Sequence, residues 1–137
     1  MQCLLLSSLK KIGYRNCVNG IRPDTIEGQI VSDADMCDAI GANGILRTHK
    51  YEIKYGKSFF DRTLKPLEDT DTYSEKVADS GVHHMFEKLL KLKDLMLTNS
   101  GKEEANKRHN IMVDFLYELF DEEESHEWTN YLNNYLK

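Results

Sequence analysis

Only two prolines, Pro23 and Pro66, interrupt this 137-residue chain, and no segment alternates apolar and polar side chains for more than a few positions. The scarcity of breakers and the missing two-residue period exclude a sheet-built domain and predict an all-α fold. No apolar run approaches the roughly 20 residues that a membrane-spanning helix needs, so no membrane partner is expected. The short opening run, Met1-Gln2-Cys3-Leu4-Leu5-Leu6, has no basic residues before it and no small-residue cleavage site after it. It reads as the first turn of a helix rather than a signal, and the chain as cytoplasmic. Cations are in deficit: 18 Lys and Arg against 23 Asp and Glu give a formal charge of -5. That balance argues against a nucleic-acid polymer as partner, since such binding neutralises phosphates with Lys and Arg. It leaves room for a phosphorylated small molecule or nucleotide in a local basic pocket. The three cysteines, Cys3, Cys17 and Cys37, are odd in number and lack CxxC spacing. They fit reduced thiols better than a disulfide scaffold or zinc knuckle, and no base partner marks any of them as a nucleophile.

What is present is enough for one domain over residues 1–137, with 40% hydrophobic and 30% charged residues. A first helix is expected over residues 4–11, ended by Gly13, followed by a poorly periodic connection over residues 14–22. Asp24 with Glu27 three residues on suggests a capping box opening the next helix, with Ile26, Ile30, Ala34 and Cys37 as its apolar stripe. Gly41 and Gly44 allow close packing or a break before a helical continuation over residues 45–55. Residues 56–80 read as a long loop or flap. Beyond it, a helix is predicted over residues 82–97, with Val82, Met85, Phe86, Leu89, Leu92 and Met96 facing the core. A second capping box at Ser100–Glu103 opens a helix over residues 102–121 with Ala105, Met112, Phe115, Leu116 and Leu119 inward. The acidic run 121–124 reads as a solvated helix end, and a last helix over residues 126–136 buries Trp128, Tyr131, Leu132 and Tyr135.

The segment from Ile30 to Ala42 carries Asp33, Asp35 and Asp38 among small and apolar residues. Carboxylates in a core-like pattern need a cation or donors to meet them. Asp33 and Asp35 lie roughly 200° apart on a helix and cannot chelate one ion together, whereas Asp35 and Asp38 share a face. Asp35 borders the apolar stripe, as an inward-facing metal ligand should. The alternative is that Asp33 and Asp38 are solvated and Asp35 caps a helix or pairs with a nearby Lys or Arg.

Two blocks carry a family resemblance. One runs from Thr25 through the Asp33-Ala34-Asp35-Met36-Cys37-Asp38-Ala39-Ile40-Gly41 core to Thr48. The other runs from His84 to Met96, followed by Ala105, Arg108, Met112 and Phe115. Together they resemble the C-terminal portion of the HD-domain metal-dependent phosphohydrolase superfamily. The resemblance implies an HD-like helical bundle, truncated at the N-terminus, and a site in which a His, a His-Asp pair and a later Asp hold a divalent metal ion. Asp35 matches that later Asp. The ion would polarise a phosphoryl group or activate water. The first histidine in this chain is His49, so the upstream His and His-Asp ligands of the family pattern are not found.

His84, Lys88 and Lys91 recur at i, i+4 and i+7 and suggest a face for substrate phosphate, or a solvated Lys face with His84 packed inward. Arg47 could turn back to the same pocket or pair with Asp33 or Asp38. His49, His83, His109 and His126 lack helical metal-site spacing and read as surface or core residues. Two functions follow: an HD-type phosphohydrolase with an incomplete metal site and weak or no activity, or a non-catalytic helical module binding a nucleotide-like ligand or protein partner. Loss of N-terminal helices would bare apolar surface and favour a homodimer.

Overall fold

A computed structural model describes the backbone of residues 2–67 and 78–137, and side chains from residue 6 on. Among the described residues the chain forms seven α-helices and one 3-10 helix, and no strand. In order these are α1 (Gln2–Leu9), α2 (Tyr14–Val18), α3 (Ile26–Asp38), α4 (Gly41–Lys54), α5 (Gly81–Glu87), the 3-10 helix (Leu89–Leu95), α6 (Asn99–Glu122) and α7 (His126–Tyr135). The all-α expectation holds. The connection expected over residues 14–22 contains the short helix α2. Part of the long loop, residues 68–77, lies outside the described residues.

Helix α3 is capped by Thr25, not Asp24: the Thr25 hydroxyl accepts from the Gly28 N–H at 3.1 Å. Asp24 instead pairs with Lys11. The apolar stripe of α3 is also not the one its spacing suggests. Ile26 and Ile30 are more than half exposed, whereas Ser32, Asp33, Met36 and Cys37 are buried. The buried arc is turned by roughly a quarter of a turn from the Ile26–Cys37 stripe. Gly41, at φ 80, makes the left-handed turn that separates α3 from α4, and a side chain there would press on Arg108.

Asp33 sets this rotation. Its carboxylate is 2% exposed and accepts from the N–H of Leu97 at 2.9 Å, the N–H of Thr98 at 2.8 Å and the Thr98 hydroxyl at 2.7 Å. Thr98 in turn caps α6 by accepting from the Gly101 N–H at 3.0 Å. The helix therefore begins at Asn99, and the capping box expected at Ser100 does not form. The negative charge lies at the N-terminal end of a long helix, where orphan N–H groups and the macrodipole favour it. Gly101 is required because a Cβ there would collide with the Asp33 carboxylate.

The helix expected over residues 82–97 is broken. α5 ends at Glu87; the cap residue Lys88 (φ -134, ψ -61) leaves helical geometry, and the chain continues as the 3-10 helix. Both elements still face inward. Val82, Met85, Phe86, Leu89, Leu90 and Leu92 pack with Met112, Leu116 and Phe120 of α6 and with Trp128 and Leu132 of α7. Phe86 stacks on Trp128 at 5.9 Å between ring centroids, and the indole N–H donates to the Leu64 carbonyl at 3.3 Å. His83 belongs to this core: its ring nitrogens face the Ser80 hydroxyl at 2.7 Å and the Lys65 carbonyl at 2.9 Å, so both are engaged.

Asp33→Ala is expected to destabilise the fold by about 2–4 kcal/mol, because two N–H groups and a hydroxyl lose a charged acceptor in a buried site. Gly101→Ala should cost a comparable amount through the same contact. Urea unfolding measures both; near-wild-type midpoints would show that the α3–α6 junction is held by something else.

Candidate functional site

Three elements converge where α5 breaks. α3 contributes Asp35, the start of α2 contributes Tyr14, and the end of α5 contributes His84 and Lys88. Lys88 is half-buried, and its ammonium lies over the Tyr14 ring at 4.7 Å from the centroid, a cation–π arrangement. Burial lowers the Lys88 pKa from the ordinary lysine value, and the negative charge of Asp35 opposes that shift. His84, half-buried, is pushed down to about 4, first by burial and then by the neighbouring Lys88 charge. At neutral pH the imidazole is therefore uncharged beside a partly desolvated ammonium. Such a cation, with incomplete hydration, is suited to receive an anionic oxygen.

Of the residues singled out by sequence, the structure gathers Asp35, His84 and Lys88. Asp35 is exposed, at the edge of the buried face rather than pointing inward. Lys91 is turned away to line another cavity, because the 3-10 geometry beyond Lys88 breaks the i+7 register. Arg47 pairs with Asp38, both largely exposed, a contact worth at most about 1 kcal/mol. Asp33 is buried and committed to the α6 N-terminus. Tyr14 escaped the sequence reading, since it lies in a segment without clear periodicity. Cys37 is buried, and desolvation raises its thiol pKa ahead of the opposing Arg108 charge, the opposite of an activated nucleophile.

The metal that the family pattern implies was tested against the donors present. Among the described residues no group of three or more His, Cys, Asp or Glu side chains could hold an ion. One exposed carboxylate does not bind a divalent cation by itself. The described residues therefore do not fit a complete metal site.

No family model matches the chain. Solved structures do match. An HD-superfamily hydrolase from Bacillus thuringiensis is 40% identical with a TM-score of 0.62, the match covering 74% of this chain and 48% of that one. The chain belongs to the HD superfamily. Within it, the chain is similar to YpgQ of Bacillus subtilis (strain 168), described as uncharacterized, at 37% identity over 97 residues, 71% of this chain and 40% of YpgQ. The structure of B. subtilis YpgQ in complex with ADP matches at 31% identity and a TM-score of 0.60, covering 85% of this chain and 51% of that one. The chain thus spans about half the length of the relatives it matches. Among the described residues no helix is long and apolar enough to cross a membrane.

The His84 shift makes a signed prediction. The unfolded chain takes up this proton near 6.5 and the folded chain only near 4. Stability from this group is fully present above the unfolded value and falls as pH drops through that window. Imidazole NMR should show His84 neutral through most of that range, and Lys88→Met should raise its midpoint. A wild-type midpoint near the unfolded value would contradict the burial described.

Proposed function

We propose that the face formed by Asp35, His84 and Lys88 binds the phosphate end of a nucleotide-like molecule and serves HD-type phosphohydrolase chemistry. The observation that carries this reading is the half-buried Lys88 ammonium, placed between the Tyr14 ring, the Asp35 charge and the neutral His84 imidazole. The ADP complex of the similar YpgQ supports a nucleotide as the ligand class. In this reading Lys88 meets a phosphate oxygen as a point charge, and His84 shapes the site without adding a second cation. Asp35 is the position that would donate to a divalent metal ion, whose bound form would polarise the phosphoryl group. The remaining donors would have to come from outside the described residues, so weak or absent hydrolysis is expected of this chain by itself.

ADP binding measured by calorimetry, with and without magnesium, tests the site. Lys88→Ala should weaken binding about tenfold or more, the scale of one charge-assisted contact. Unchanged affinity in that variant would refute the assignment. Metal content per chain, compared between wild type and Asp35→Asn, tests the carboxylate separately: a metal retained in the variant would remove Asp35 from the ligand set.

A second reading, a non-catalytic module that engages a protein partner or a second copy of itself, is favoured by one observation. Leu6, Leu9, Ile26, Ile30 and Val31, from α1 and α3, are all 47% exposed or more, and large apolar side chains at that density often mark a contact face. Sedimentation over a range of concentrations should then show a homodimer weakened by Ile30→Asp; a monomer throughout would set the self-association form aside.

A further inference from the structure

Helix α4 carries two unlike faces. Gly41, Gly44, Thr48 and Glu52, spaced about a turn apart, are buried where α4 packs on α6. On the opposite side Leu46, Lys50, Ile53 and Lys54 fall within an arc of roughly 100°. Leu46 is 66% exposed and Ile53 63%, and among the described residues no large apolar side chain is more open to water. Tyr51 and Tyr55, both exposed, flank the arc. None of these residues belongs to the Asp35–His84–Lys88 face or to the apolar patch on α1 and α3.

Apolar side chains exposed singly are ordinary, but here they alternate with cations and no exposed acid interrupts them. The sole carboxylate of α4, Glu52, is on the buried side. Helix α6 shows the pattern of a solvated helix, with acids and bases interspersed and Arg108 paired to Glu104 one turn earlier. On α4, Lys50 and Lys54 make no ion pair among the described residues, whereas Arg47 is held by Asp38. One edge of the face is already ordered. The Tyr51 and Tyr55 rings lie 4.5 Å apart, and the Lys54 ammonium sits over Tyr55 at 5.4 Å from the centroid. Side chains ordered beforehand lose little freedom when a partner arrives.

The number of unpaired cations selects the kind of partner. Anionic lipid surfaces are held by clusters of about 4–8 Lys or Arg, and nucleic-acid polymers likewise by many phosphate contacts. Two unpaired lysines on a chain of formal charge -5 are too few for either, because an extended negative surface also meets the acids of the rest of the chain. A narrow segment meets α4 alone. The spacing fits a helix: Leu46 and Ile53 are one heptad apart, and Lys50 and Lys54 one turn apart. We infer that the outer face of α4 docks an acidic amphipathic helix of a partner protein. The partner's apolar stripe covers Leu46 and Ile53, and two of its carboxylates, one turn apart, meet Lys50 and Lys54.

Synthetic acidic helices of about 18 residues, long enough to hold helical structure, test the face. Three are needed, each with a Leu stripe at helical spacing and with Glu beside it in a different register. Backbone NMR of the whole chain should show at least one binding saturably, with the shifts centred on α4. Lys50→Glu/Lys54→Glu, at two exposed positions, should weaken that peptide about tenfold or more and gain binding to its counterpart with Lys in place of Glu. Ile30→Asp and Lys88→Ala should leave the affinity unchanged, separating this face from the two described above. Saturable binding by none of the peptides would overturn the proposal. So would equal binding of a version with Ser in place of Leu, or wild-type affinity in the charge-reversed variant. Sedimentation with phosphatidylserine vesicles, or self-association, lost in that variant would overturn it too, since lipid or a second copy would then be the occupant.

Discussion

The buried carboxylate of Asp33 is the interaction on which the rest of the structure turns. A charge placed 2% exposed is tolerable only where donors replace the lost water, and three converge on it from residues 97 and 98. By accepting them it joins α3 to the start of α6, the longest helix among the described residues. It thereby fixes the rotation of α3 about its axis. That rotation sends Met36 and Cys37 into the core, leaves Ile26 and Ile30 outside, and carries Asp35 to the margin beside Lys88. It equally sets the phase of α6, which delivers Met112, Leu116 and Phe120 to the centre.

The class of fold was readable from periodicity, and most helices fall where the spacing puts them. The inward face of α6 and the burial of Trp128 and Leu132 follow from the 3.6-residue repeat. The face of α3 does not, because hydrophobicity alone cannot register that an aspartate is wanted inside: the three groups that donate to its carboxylate lie more than sixty residues away in sequence. The caps were displaced for a related reason. Thr25 and Thr98 compete with Asp24 and Ser100 as cap residues of similar preference, and Asp24 is drawn off by Lys11 while Thr98 is held by Asp33. These are tertiary choices among locally equivalent options.

The candidate site was legible in the same uneven way. His84 and Lys88 do come together as their four-residue spacing suggests, since both belong to one helix and its cap. Asp35 joins them through the motif that resembles the HD superfamily, not through its place on the stripe. Lys91 separates from them because a regular helix does not continue, and nothing in its spacing announces the break. His109 sits in phase with Ala105, Met112 and Leu116; its position in that series, rather than any partner histidine, was the available signal of its burial.

The 3-10 helix imposes a constraint of its own. With three residues per turn, its side chains form straight columns instead of slanting stripes: Leu89, Leu92 and Leu95 make one, Lys91 and Asp94 another. One inserted residue rotates all that follows by a third of a turn and brings Lys91 and Asp94 to the face the leucine column held. The stretch between Lys88 and Met96 is therefore tied to one length: its residue count decides whether Leu89 and Leu92 reach the core at all.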